Sequence, residues 1–252
     1  MKRLLCAFGV AAFLPIAALA QTAAQTTPQR HLVYAFTWGL SNDTQVHTSG
    51  FAEDSGTGFS ATSGNSSGMS DYTGGTSDKG TITVDVVREQ PDTGLVVNVS
   101  EQGQGTRKAP AATCVVYSDT TIICDPNKVV HGEELTLLRF LGSHFVDPNQ
   151  LDAKGHWRVQ RDGAVSTIAD YTISKNANGA MTIDEVRVVK ENGSNQRTTN
   201  INATVGYDAN RTLPTSITEF SIERSERGEQ YNTIKSETTL TLQSDSMAAA
   251  KN

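Results

Sequence analysis

The sequence predicts an all-β protein with one short helix, built as a single large curled antiparallel sheet of half-barrel or barrel-like form. Apolar residues fall on alternate positions in about ten segments, which is the period of a half-buried strand. Asn-Gly and Asp-Gly turns separate several of these segments. Strands and helices do not alternate along the chain, so one antiparallel sheet must curl to bury its apolar face.

The first twenty residues are typical of a secretory signal peptide. Lys2 and Arg3 precede an apolar run from Leu4 to Ala17, and the small residues Ala18 and Ala20 mark a cleavage site. The apolar run is short for a membrane span. We therefore expect cleavage after Ala20, a periplasmic or secreted mature chain, and no transmembrane helix after cleavage.

The charge of the mature chain excludes some partners. Once the two basic residues of the signal are removed, 19 basic and 27 acidic residues remain, a net charge of −8. This balance disfavours binding to nucleic acid or to anionic lipid headgroups. The expected ligand, an apolar small molecule or a lipid, rests on the curled sheet considered below and not on this charge, and any protein partner is unidentified.

The chain divides into one domain with polar ends. Residues 21–30 are polar and predict a flexible lead-in, and residues 31–243 form the β domain. Within it, the Gly-, Ser- and Thr-rich segment at about 49–80 predicts a mobile loop, because it has little apolar surface to bury. Residues 244–252 predict a disordered tail.

Two hairpins follow the loop. Alternating apolar residues in Thr81–Val86 and Leu95–Val99 flank a turn and predict the first. The second has two apolar arms that are symmetric about Asp119, which places Cys114 opposite Cys124 at a separation that a disulfide can span. In an oxidising compartment we expect this bond. A redox pair usually has closer spacing, and half of a metal site needs further ligands that we do not find.

The segment Gly132–Leu141 predicts a helix of about three turns that plugs or flanks the sheet. Glu133 and Glu134 suit its N-terminus, and Gly142 suits its end. Its expected apolar face consists of five residues, Leu135, Leu137, Leu138, Phe140 and Leu141. In a later strand, the change of alternation between Ile217 and Phe220 predicts a bulge near Thr218–Glu219.

Two patterns resemble catalytic or metal sites. Gly64–Gly68 matches G-x-S-x-G, but it lies in the Gly/Ser-rich loop and not between a strand and a helix, where the serine would be exposed. His131, Glu133, Glu134, His144 and Asp147 surround the helix, but their spacing is not that of H-E-x-x-H. We expect no catalytic residues, no metal ligands and no cofactor.

The large aromatic residues of the strand faces are the candidate ligand-binding residues: Tyr34, Phe36, Trp38 and Trp157. They belong either to a packed core or to the lining of an apolar cavity inside the curled sheet. The two interpretations overlap, because the core of an incompletely filled half-barrel is also a pocket.

The signal peptide, about ten long antiparallel strands and a short plugging helix together resemble the periplasmic half-barrels that carry lipoproteins or lipids. Locally, Tyr207-Asp208 followed by Leu213-Pro214 and a further long strand is similar to the late strands of such carriers. The resemblance covers most of residues 31–243 and is architectural, so no functional residue is carried over. It implies a curled sheet that binds a lipid-like ligand.

We therefore expect a periplasmic or secreted, non-enzymatic protein that binds an apolar or lipid-like ligand in its curled sheet. This function predicts an under-filled cavity. The alternative is an envelope or extracellular interaction or structural module with a packed core and no ligand, which predicts an exposed apolar surface or a free strand edge instead.

Overall fold

The computed structural model describes residues 28–46, 74–90, 94–105, 107–117, 121–141, 155–175, 179–191, 193, 196–227 and 230–247. Several predicted features lie outside these residues. They are the signal peptide, residues 21–27 of the lead-in, the G-x-S-x-G segment, Gly142, and the two helix-flanking residues His144 and Asp147.

The described residues form eleven strands and one helix, close to the ten or so strands and one helix that the alternating pattern predicts. The elements are β1 (Arg30–Val46), β2 (Gly74–Gln90), β3 (Gly94–Gly103), β4 (Lys108–Val116), β5 (Ile122–Cys124), α1 (Gly132–Arg139), β6 (His156–Arg161), β7 (Val165–Lys175), β8 (Ala180–Glu191), β9 (Gln196–Asp208), β10 (Leu213–Arg227) and β11 (Gln230–Asp245).

All eleven strands belong to one antiparallel sheet that does not close on itself. Its order is β5-β4-β3-β2-β1-β11-β10-β9-β8-β7-β6, so β5 and β6 form its two edges. The sheet is strongly curled. In a flat sheet, β3 and β8 would be six strand spacings apart, or about 29 Å, whereas an eight-residue helix is about 12 Å long. Side chains at the two ends of α1 nevertheless reach Glu101 on β3 and Glu185 on β8.

The hydrophobic core lies between the concave face of this sheet and α1. Leu137, Leu138, Phe140 and Leu141 from the helix segment are buried against the inward-facing strand residues. Leu135 is an exception to the predicted apolar face, because it is 38% exposed. The polar α1 residues Glu133 and Thr136 are buried instead, and they contact the charged residues Arg107 and Glu219.

The predicted boundaries of the β domain require three corrections. Gly74–Gly80, predicted as loop, form the start of β2, because β1 extends to Val46 and gives this segment a long backbone partner. Arg30, predicted as lead-in, begins β1. The tail is ordered as far as Met247, since the carboxylate of Asp245 is buried and accepts hydrogen bonds from the guanidinium of Arg30 at 3.0 and 2.7 Å.

The predicted bulge near Thr218–Glu219 is wrong. The pairing of β10 is regular there, and its irregularity lies between Pro214 and Ser216, opposite β9. The alternation therefore continues unbroken through Glu219. Glu219 is buried on the concave face and Phe220 is 41% exposed on the convex face.

The predicted cysteine hairpin is confirmed. Cys114 of β4 pairs directly with Cys124 of β5, and the two residues form a disulfide with their Cα atoms 4.0 Å apart. The preceding hairpin of β2 and β3 is also formed. At the start of β3, Gly94 has a φ of 120°, and a Cβ atom there would overlap the carbonyl oxygen of Val116. Glycine is therefore required at this position.

Candidate functional site

The concave face is organised in rows of residues that pair across neighbouring strands. The middle row, which we call the belt, contains Asp78, Trp38, Thr238, Glu219, Ala203, Glu185, Tyr171 and Trp157. On the α1 side of the belt, the inner row contains Phe36, Leu240, Ile217, Val205, Ile183 and Ile173. On the other side, the outer row contains Thr76, Leu40, Ser236, Ser221, Ile201, Arg187, Ala169 and Val159.

The three rows differ in chemistry and in exposure. Every member of the inner row is apolar and buried. The belt mixes aromatic rings with two buried carboxylates. The outer row mixes apolar side chains with hydroxyl groups and the guanidinium of Arg187. Its larger apolar members Leu40, Ile201 and Val159 are only half-buried, whereas Ala169 is buried. The concave face therefore changes from a packed core to a partly accessible amphipathic surface within two rows.

A buried ion cluster attaches the C-terminal end of α1 to the belt. Arg139 Nη2 donates to Glu185 Oε2 at 2.9 Å and to Glu219 Oε2 at 2.5 Å. Thr136 Oγ1 donates to Glu219 Oε1 at 3.1 Å. Burial alone would lower the pKa of the Arg139 guanidinium, but the two carboxylates outweigh it and raise that pKa. This cluster, which we call the helix clamp, holds the helix against β8 and β10.

Glu185 of the helix clamp also has partners on the strands beside it. Arg187 Nε donates to Glu185 Oε1 at 2.8 Å, and Arg187 Nη2 donates to the Tyr171 hydroxyl, also at 2.8 Å. Burial opposes the ionisation of Glu185, but Arg139 and Arg187 outweigh it, so the pKa of this carboxyl is lowered. Burial raises the pKa of Tyr171 to about 12. At neutral pH, Glu185 is therefore ionised and Tyr171 keeps its proton.

A second cluster of ionisable residues lies at the N-terminal end of α1, and we call it the carboxylate cluster. It contains Glu101 from β3, Arg107 from the β3–β4 turn, and three residues of the helix start, His131, Glu133 and Glu134. Arg107 Nη2 lies 2.7 Å from Glu133 Oε1, and His131 Nδ1 lies 3.1 Å from Glu101 Oε2. The backbone N–H of His131 donates to Glu134 Oε2 at 2.7 Å, which caps the helix.

The carboxylate cluster is strongly shielded from solvent. Glu101, Glu133 and Glu134 are 4%, 1% and 0% exposed. Burial, helped by the neighbouring Glu133 carboxylate, raises the pKa of Glu101. Burial raises the pKa of Glu134 to about 7, and the carboxylates of Glu101 and Glu133 act in the same direction. Glu101 and Glu134 therefore lie in a site in which their ionised forms are poorly stabilised.

The sequence-predicted ligand residues occupy two different environments. Tyr34, Phe36 and Trp157 are 0%, 2% and 2% exposed and belong to the core. The Tyr34 hydroxyl donates to the Pro214 carbonyl oxygen at 2.9 Å. The Trp157 ring stacks on that of Tyr171 with centroids 4.4 Å apart.

Trp38 differs from the other three aromatic residues, because it is only half-buried. One face of its indole ring is covered by the Arg107 guanidinium, which lies 4.1 Å from the ring centroid. Such a cation–π contact helps to orient the ring. Trp38 therefore lies between the packed core, the carboxylate cluster and the more accessible outer row.

An open depression adjoins Trp38. It has a volume of about 630 Å³ and is lined by Thr37, Trp38, Gly39, Ser77, Asp78, Lys79, Gln104, Gly105 and Glu237. A second depression, of about 360 Å³, shares Gly39 and Ser77 with it and includes Leu40 and Phe220. Asp78 is held in place by backbone N–H groups of Lys79 and Gly105, at 2.7 and 3.1 Å, which lower the pKa of its carboxyl.

Sequence reasoning missed the strand residues of both clusters. Glu101, Glu185 and Glu219 each occupy a position where the alternation of their strand predicts an apolar residue, after Val99, Ile183 and Ile217 respectively. An acid that breaks the inward-facing pattern is a signal of a buried charge that needs a partner. The sequence alone could not supply that partner, because Arg139 and His131 come from the helix and are distant along the chain.

In the described part of the chain, no helix has the length and apolar character needed to cross a bilayer. No protein-family model matches the chain, and none of the curated proteins matches it.

Proposed function

We propose that this protein is a non-enzymatic periplasmic or secreted binder of an apolar or lipid-like ligand, which lies along the outer row of the concave face against Trp38 and Leu40. The observation that carries the proposal is a change in burial along the apolar face of β1. Leu32, Tyr34 and Phe36 are buried in the core, whereas Trp38 and Leu40 continue the same face and are only half-buried.

The neighbouring strands support a ligand with both apolar and polar parts. Leu40 is followed across the sheet by Ser236, Ser221 and Ile201, and the two serine hydroxyl groups are 2.7 Å apart. Pockets for small molecules are commonly lined by apolar and aromatic side chains with a few polar groups that fix the orientation of the ligand. The outer row has this mixture, whereas the inner row is closed by α1.

The two tryptophans of the chain allow a direct test, because they lie in different parts of the belt and differ in exposure. Trp38 is half-buried next to Leu40, whereas Trp157 is 2% exposed. A Trp157→Phe variant leaves Trp38 as its single tryptophan, and a Trp38→Phe variant leaves Trp157. Both mature proteins would be titrated with a dibrominated fatty acid, whose bromine atoms quench tryptophan emission on contact. We expect saturable quenching of Trp38 and little quenching of Trp157, which stacks on Tyr171 in the core.

A Leu40→Ser variant in the Trp157→Phe background provides the next step. It removes apolar surface from the outer row without touching the core, so the fatty acid should bind more weakly while the fold is kept. Absence of saturable quenching of Trp38, or equal quenching of the two tryptophans, would contradict binding along the outer row.

The alternative function, an envelope interaction or structural module, is favoured by a different surface. On the convex face, Ile168, Val186 and Phe220 are 40%, 54% and 41% exposed. Phe220 and Val186 both pair with Asn202, which places them two strand spacings apart, or about 10 Å. If the fatty acid does not bind, this exposed apolar surface makes a protein partner the better hypothesis.

A further inference from the structure

The carboxylate cluster brings together residues that can ligate a metal ion. One ligand atom each from Glu101, His131 and Glu133 can be chosen so that all three lie within 4.8 Å of one another. They come from the inner face of β3 and from the start of α1, thirty residues apart along the chain. Two carboxylate oxygens and one imidazole nitrogen form a common ligand set for divalent transition metals.

A second observation points to a cation at this place. Glu133 is 1% exposed, and its Oε2 atom has no hydrogen-bond partner among the described residues. Oε1 of Glu134, which is fully buried, is also without one in that part of the chain. Buried carboxylate oxygens are nearly always hydrogen-bonded, paired with a cation or bound to a metal.

Arg107 compensates only part of the negative charge. Its guanidinium contacts Glu133 Oε1 at 2.7 Å and lies 3.7 Å from Glu101 Oε1. Metal ligation requires ionised carboxylates and a neutral imidazole. A divalent cation bound to Glu101 and Glu133 would compensate the charge that Arg107 leaves.

We propose that Glu101, His131 and Glu133 bind a divalent transition-metal ion, with Zn²⁺ as the best match, at the N-terminal end of α1. Zinc–oxygen and zinc–nitrogen bonds of 2.0–2.2 Å at tetrahedral angles require ligand atoms roughly 3.3–3.6 Å apart. The separation of 3.1 Å between His131 Nδ1 and Glu101 Oε2 is already close to this value. Ca²⁺ is a poorer match, because it prefers sites made of oxygen ligands alone.

The site would fasten α1 to β3. The helix clamp attaches the other end of the helix to β8 and β10, so a metal ion here would fix both ends across the curled sheet. The inference does not depend on the ligand proposed above, because none of Glu101, His131 and Glu133 is among the residues proposed to contact that ligand.

The test measures zinc in the untagged mature protein, together with three variants. After dialysis against Zn²⁺ and then against metal-free buffer, we expect about one zinc per chain by mass spectrometry of the metal. At a free Zn²⁺ concentration one hundred times the dissociation constant, the melting temperature should rise by about 5–10 °C. Glu101→Gln and His131→Gln should each weaken binding by at least about tenfold.

His31→Gln is the matched control. His31 Nδ1 lies 2.6 Å from Asp85 Oδ1 in an exposed pair on the convex face, so this variant removes a histidine–carboxylate contact outside the site. It should bind zinc as the wild type does. Co²⁺ offers a measurement on the wild type alone, since its visible absorption should appear on binding and disappear when Zn²⁺ displaces it.

Several results would overturn the inference. These are a zinc content far below one per chain with no Co²⁺ absorption, equal losses of binding in His31→Gln and Glu101→Gln, and equal stabilisation by Ca²⁺ and Zn²⁺. A failure of fatty-acid binding with zinc binding intact would instead contradict only the proposed ligand function.

Discussion

Replacing Arg139 by methionine tests whether the helix clamp holds α1 in the sheet. The substitution keeps an apolar side chain of similar length but removes the cation between Glu185 and Glu219. Removing one partner of a buried ion pair usually costs about 3–5 kcal/mol, because a charge stays buried without compensation. For a domain of this size, this corresponds to a fall in melting temperature of about 6–20 °C.

The contacts of the two carboxylates indicate that Glu219 causes most of the loss of stability in Arg139→Met. Glu185 keeps Arg187 at 2.8 Å after the substitution, whereas Glu219 keeps only the Thr136 hydroxyl among the partners described above. The double variant Arg139→Met/Glu219→Gln should therefore recover about half or more of the lost free energy of unfolding, since a neutral amide costs less to bury than an unpaired carboxylate.

The assay is urea unfolding at pH 7, followed by circular dichroism, with Arg158→Met as the matched control. Arg158 makes an equally well-aligned pair with Asp170, at 2.6 and 2.9 Å, but its side chain is 59% exposed. Exposed pairs contribute little, so the control should leave the unfolding midpoint nearly unchanged. The reasoning is refuted if Arg139→Met loses no more stability than Arg158→Met, or if the added Glu219→Gln change lowers stability further.

Three further predictions concern other parts of the fold. In metal-free buffer with a chelator, Glu134→Gln should raise the free energy of unfolding by about 1–2 kcal/mol at pH 7.5 but not at pH 5. The pKa of Glu134 is about 7 in the folded protein and 4.5 in the unfolded chain. The wild type therefore loses stability as the pH rises between these two values, and the variant does not. Melting curves at both pH values check this, and equal effects at the two would contradict it. Reducing the Cys114–Cys124 disulfide should lower the free energy of unfolding by about 3 kcal/mol, measured by urea unfolding with and without reductant, and an unchanged midpoint would count against it. Gly94→Ala should cost about 2 kcal/mol or more in the same assay, because its Cβ atom would overlap the Val116 carbonyl oxygen; a stable alanine variant would show that the turn can rearrange.

Local patterns of the sequence predicted most of the strands because period-two alternation is a property of each strand by itself. The same is true of the Cys114–Cys124 pairing, which depends on one short hairpin. The strand at Gly74–Gly80 was missed because its stability comes from β1, a partner more than thirty residues away, and not from its own weak propensity. Long-range partners of this kind cannot be inferred from the composition of the segment.

The candidate site was predicted less well, for a related reason. The aromatic stripe of β1 was identified, but the change from buried to half-buried between Phe36 and Trp38 is a result of tertiary packing, which the alternation of one strand does not encode. Four of the five residues predicted for the apolar face of the helix are buried, but Leu135 is exposed, and the charged residues Glu133 and Arg139 are buried as well. Charged residues point inward here only because the strands supply charged partners at the matching positions.

The central claim is that the concave face binds an apolar or lipid-like ligand. Native mass spectrometry of the protein purified from the organism that makes it tests this claim most directly. The same sample would be extracted with organic solvent and the extract analysed for lipids. The account predicts an apolar adduct in a one-to-one ratio that is weakened by Leu40→Ser. A clean mass without an adduct at gentle activation, together with an extract free of lipid, would contradict it.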